Sequence, residues 1–67
     1  MSYQERLLNE LLDLTRKSVK LLEFIEECEE DKKIAKSEYF KLLTKQSDIM
    51  SEYEYILVKR ILFEMQH

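Results

Sequence analysis

Gln46, Tyr53 and Arg60 bring an amide, a phenol and a guanidinium to one stretch of chain, seven residues apart each time. On a helix that spacing keeps them on one face, about 20° out of register per step. They lie in LLTKQSDIMSEYEYILVKRI, Leu42 to Ile61, where apolar residues return every three or four positions and a helix is expected. The trio sits on the stripe that should be the core, and two chemistries fit it. As seam residues, Gln46 specifies register, Tyr53 offers an apolar body with a polar tip, and Arg60 pairs with a carboxylate such as Glu10 or Asp13. As pocket residues, Tyr53 stacks on a base, Arg60 grips a phosphate in its fork, and Gln46 reads a ring edge, with Lys45 beside them.

No catalytic set accompanies them. Cys28 lies among Glu26, Glu27, Glu29 and Glu30, whose negative charge disfavours the thiolate, so a buried apolar cysteine is expected. His67 is the single histidine, so a Ser/His/Asp relay would rest on the last residue alone. The carboxylate pairs Glu26-Glu27 and Glu29-Glu30 have no cleft to desolvate them in a chain of 67 residues. One Cys and one His fall short of the four ligands of a structural zinc. Gly 0 and Pro 0 argue against phosphate-cradling loops and a nucleophile elbow. Neither an enzyme nor a cofactor is expected.

Charge is uneven. Glu23 to Asp31 holds six acids and no base, and Lys32 to Lys45 holds five lysines and one acid, Glu38. Either the two segments neutralise each other at a solvated tip, or Lys32, Lys33, Lys36, Lys41 and Lys45 attract an anion. The formal charge of −3 carries no general signal for a nucleic-acid polymer or a membrane surface. No run approaches the ~18 apolar residues of a membrane span. Met1-Ser2-Tyr3-Gln4 leads straight into a charged amphipathic pattern, so no signal peptide is expected. One free cysteine fits a reducing, cytoplasmic setting.

The elements that must position the trio are helices. Ser2-Tyr3-Gln4-Glu5 fits a capping box. Rows 7-11-14-18-21-25-28 and 8-12-15-19-22 behind it are both mainly apolar, a stripe wide enough for more than one neighbour. The first helix is expected over about 3–30. Acids at its end oppose the macrodipole. Residues 31–36 form the connection, Ser37 caps the second helix, and that helix runs over about 37–66. A short connection makes the pair an antiparallel hairpin, with Phe40 expected in its core. So short a chain is marginal alone, and without disulfide or metal it is left with oligomerisation. The expected fold is therefore all-α: an antiparallel two-helix hairpin, residues 1–67 as a single domain, assembling into an oligomeric helical bundle. Leu11, Leu22, Ile49, Leu57, Ile61 and Phe63 are the expected interface, because the first helix carries two adjacent apolar rows and the end of the second is apolar around most of its circumference.

Leu42-Leu43-x-x-Gln46-x-x-x-Met50-x-x-Tyr53-x-x-Ile56-Leu57-x-x-Arg60-Ile61, with Glu5-Arg6, Leu14, Lys20-Leu21 and Phe24-Ile25 in the first helix, resembles a group of small phage and prophage helical-hairpin proteins. A more distant similarity is to anti-defence proteins that assemble from small helical protomers and sequester the cyclic nucleotides activating bacterial antiphage systems. The resemblance implies a phage-encoded homo-oligomer in the host cytoplasm that captures a cyclic-nucleotide signal; Gln46, Tyr53, Arg60 and Lys45, read from their chemistry and spacing, are its expected contacts. Two alternatives belong to other classes. One is an inhibitor or adaptor that docks on a host defence protein through the apolar second helix. The other is a structural phage assembly factor.

Overall fold

A computed structural model describes residues 2–66. Its elements are α1 (Tyr3–Glu29), α2 (Lys32–Ala35) and α3 (Glu38–Gln66). Among the described residues none has a positive φ, as suits a chain without glycine. His67 lies outside the described residues. Each long helix starts on a serine. The Ser2 side chain accepts from the Glu5 N–H at 3.1 Å, and the Ser37 hydroxyl accepts from the Phe40 N–H at 3.2 Å, satisfying donors that a helix start leaves open. The connection is more ordered than the sequence alone suggests. Asp31 accepts from the N–H groups of Lys33 and Ile34 at 3.0 and 3.4 Å and caps the one-turn helix α2. An acid that opposes the end of α1 thus favours the start of the next turn.

α1 and α3 pack antiparallel into a rod of 50 × 16 × 12 Å. On α1 the row 7-11-14-18-21-25-28 turns inward. On α3 the inward row is Phe40, Leu43, Ser47, Met50, Glu54, Leu57, Ile61 and Glu64. Both rows alternate steps of three and four, the spacing of a coiled-coil seam. Leu7, Leu14 and Leu57, flanked by Leu11, Met50 and Ile61, form one core cluster. Ile25, Cys28 and Leu43, flanked by Leu21 and Phe40, form the other near the tip. Two buried serines, Ser18 and Ser47, fall between the clusters.

Two expectations change here. The trio Gln46, Tyr53 and Arg60 does not occupy the core row; all three are exposed. The polar residues of the seam are Ser18, Ser47, Glu54 and, at its end, Glu64. Leu57 is 0% exposed within one chain, with Leu11 and Ile61 packed on its cluster. The hairpin's own core therefore uses these three residues of the expected interface. Leu22, Ile49 and Phe63 remain exposed.

Glu54 is the weak point of the seam. Its Oε1 is buried without a hydrogen-bond partner, and an unsatisfied buried oxygen costs about 1–3 kcal/mol. Glu54→Leu is expected to stabilise the hairpin by about that amount, because it replaces the orphan oxygen with apolar packing. A thermal melt followed by circular dichroism checks it; an unchanged or lower midpoint refutes it.

Candidate functional site

α3 carries a second row with the same alternation as its core row: Leu42, Gln46, Ile49, Tyr53, Ile56, Arg60 and Phe63. Alternating steps of three and four define one helix face, so this row forms a flank beside the seam. Its apolar members are open, from Tyr53 at 42% to Leu42 at 65% exposure. All four residues expected to hold a ligand lie on or next to this flank: Gln46, Tyr53 and Arg60 within it, and Lys45 beside Gln46.

The antiparallel register brings α1 side chains to two of them. The Tyr53 hydroxyl donates to Glu10 Oε1. Arg60 Nη2 donates to the Tyr3 hydroxyl at 2.6 Å. The carboxylate expected for Arg60 is therefore taken by Tyr53, and a tyrosine receives the guanidinium instead. The reason is phase. Tyr3 and Glu10 are seven apart on α1, as Arg60 and Tyr53 are on α3, so one register satisfies both bonds. Gln4 Nε2 donates to the Glu64 carbonyl at 3.3 Å at the same end.

These bonds hold the phenol and the guanidinium in place before any ligand arrives, which lowers the cost of ordering them later. They also tune the two groups. The hydrogen bond to Glu10 raises the Tyr53 pKa, and the bond to Tyr3 raises that of Arg60. At neutral pH Tyr53 is a neutral donor and Arg60 a cation, as at their ordinary pKa values, and these contacts favour the same states. The linkage follows in sign: a raised folded pKa means that the contact's stabilisation is complete below the ordinary value of 10.0 and is lost as pH rises through the folded pKa. Tyrosinate absorbance should show one tyrosine titrating later than the others, and Tyr53→Phe should remove that late phase. Its persistence in the variant would refute the assignment.

Other features at this end were not read from periodicity. Ile56, Lys59, Arg60, Phe63 and Glu64 line one depression, and Tyr3, Arg6, Leu7, Glu10 and Arg60 line its neighbour. Arg60 thus stands between two hollows. Lys59, 5.3 Å from the Tyr55 ring centroid, lines the first of these hollows. Tyr3 gives no sequence signal of its own, since it falls in the first turn of α1.

A family model described as Sequestin matches residues 1–63. The chain belongs to the Sequestin family. No curated protein and no solved structure matches it. In this Sequestin chain the matched span takes in the whole of α1 and all four expected ligand contacts.

Elsewhere the side chains do plainer work. Cys28 is free and buried at 4% exposure. Lys41 pairs with Glu38 at 3.2 Å and Arg16 with Asp13 at 3.8 Å, each within one helix and on the surface, where such pairs contribute little. Among the described residues no group of three or more His, Cys, Asp or Glu is placed to hold a metal ion. No described helix is long and apolar enough to cross a membrane.

Proposed function

We propose that this chain is a non-enzymatic capture protein, encoded by a phage, that oligomerises in the host cytoplasm and blunts antiphage defence by sequestering a cyclic-nucleotide signal. The observation that carries the reading is the pre-set pair on the α3 flank. Tyr53, held by Glu10, presents a ring, and Arg60, held by Tyr3, presents a fork. An aromatic face takes a base, and a guanidinium fork takes a phosphate. Gln46 and Lys45 extend the same flank. Membership in a family whose name speaks of sequestering supports capture over turnover. Assembly is part of the proposal: six apolar side chains, Leu7, Leu14, Ile25, Cys28, Leu43 and Leu57, are buried in the described hairpin, a core too small to stand comfortably alone.

Native mass spectrometry of the purified protein, with and without a panel of cyclic di- and trinucleotides, tests it. Ligand mass added in integer steps to a defined oligomer is the expected result. A defined oligomer that takes up none of them overturns capture of a cyclic nucleotide. Weight would then move to a host protein docking on exposed Leu62 and Phe63, whose replacement by polar residues would abolish that contact.

A further inference from the structure

Gln46 and Arg60 cannot serve one small ligand from the same helix. They are fourteen residues apart, about 21 Å along the axis at 1.5 Å per residue. Yet both lie on the same exposed row, and that row has a symmetry of its own. Read from either end, Leu42, Gln46, Ile49, Tyr53, Ile56, Arg60 and Phe63 run apolar, polar, isoleucine, tyrosine, isoleucine, polar, apolar.

We propose that a second copy of this chain packs its α3 flank antiparallel on this one about a two-fold axis near Tyr53, and that each anion-binding site is shared, formed by Lys59 and Arg60 of one copy with Lys45 and Gln46 of the other. The inference rests on the capture reading and gives its site a second half. A self-complementary patch is what a two-fold interface requires. In an antiparallel pair centred near Tyr53, Ile49 meets the second copy's Ile56, and Leu42 meets its Phe63. Shifting the register by half a turn either way still leaves the second copy's Gln46 within about one turn of Arg60. The apolar members of the row, 52–65% exposed at Leu42, Ile49, Ile56 and Phe63, are the surface that so small a core leaves uncovered. A parallel pair would bury the same row, but it would set Arg60 against the second copy's Arg60, where the antiparallel pair sets Arg60 against Gln46.

Charge names the ligand class. The row is edged by Lys45, Glu52 and Lys59, so antiparallel docking brings Lys45 of one copy toward Lys59 and Arg60 of the other. Glu64 lines the same hollow as Lys59 and Arg60 and offsets part of this charge. At each end of the interface three cations outnumber Glu64 and Glu10, the carboxylates that line the hollows with Arg60, so an anion among them is favoured. The hollow lined by Ile56 and Phe63 beside Lys59 and Arg60 is then half of a site, with an apolar floor and a cationic rim. A ligand carrying two phosphates and a flat ring matches that composition.

Cross-linking with a short bismaleimide tests the geometry without any ligand, so its failure is separate from a failure of nucleotide capture. Buried Cys28 serves as the unreactive background. Glu52→Cys, near the axis, is expected to link to itself. Lys45→Cys alone is expected to stay unlinked, because its two copies stand more than about 20 Å apart. Lys45→Cys refolded together with Lys59→Cys is expected to give a mixed dimer. An unlinked Glu52→Cys, or a Lys45→Cys that links to itself, overturns the antiparallel interface. Inorganic pyrophosphate then tests the shared site: it should raise the melting midpoint of the wild-type protein above that in chloride of equal ionic strength, and Lys45→Gln should lose that rise. No rise in the wild type, or an equal rise in Lys45→Gln, overturns the shared anion site.

Discussion

Leu57→Ala is expected to unfold the hairpin under conditions in which the wild type is fully helical. Leu57 is 0% exposed and belongs to the cluster with Leu7 and Leu14. Truncating a buried leucine costs roughly 2–5 kcal/mol, part lost transfer free energy and part the cavity left behind. A core this small rarely supplies more than about 3–5 kcal/mol in total, so one substitution consumes most of the margin. Two rods packed along a single seam have no third layer to collapse into the gap, which places the expected cost toward the upper end. Leu62→Ala, by contrast, alters a half-exposed side chain and should change little. Far-ultraviolet circular dichroism on heating checks both. A Leu57→Ala protein that melts within a degree or two of wild type would show that the α1–α3 seam is not the core.

Arg60→Ala is expected to weaken capture of a cyclic nucleotide by roughly 10–100-fold while leaving the helices formed. A hydrogen bond to a charged group is worth about 1.5–3 kcal/mol, and each 1.4 kcal/mol is about a factor of ten. The side chain is exposed and its bond to Tyr3 lies at the rod's surface, so its removal should spare the core. Arg60→Lys keeps the charge and loses the fork, and should fall between wild type and alanine. Tyr53→Phe keeps a ring for stacking and gives up the bond to Glu10, so it should bind better than Tyr53→Ala. Titration calorimetry with the nucleotide that adds mass in native spectra would rank the four. If Arg60→Ala and Tyr53→Ala both bind as the wild type does, the site lies elsewhere on the rod.

The helices were legible in the sequence, and so were their starts. Ser2 and Ser37 announce caps that form; both are local, decided within four residues of chain. The choice of α1's inward row was open, since rows 7-11-14-18-21-25-28 and 8-12-15-19-22 are both mainly apolar. Cys28 could be read as buried because the glutamates around it disfavour a thiolate, and it is buried. Asp31 was less visible. Its role as a cap depends on a one-turn helix that four residues, Lys32–Ala35, cannot signal by periodicity.

What chain order and residue type determined was two long amphipathic helices, a break near residue 30, and an α3 with more apolar surface than one neighbour can cover. What the tertiary structure alone decided was which α3 row becomes core. Two rows share the same three-and-four spacing, so periodicity has no means to choose between them; packing against α1 does, taking Leu43, Met50 and Leu57 inward and leaving Ile49, Tyr53 and Ile56 out. The same register puts Glu10 beside Tyr53 and Tyr3 beside Arg60. Those contacts span 43 and 57 residues of chain. They exist because two helices docked antiparallel hold one phase along their whole length, and no local pattern encodes that phase.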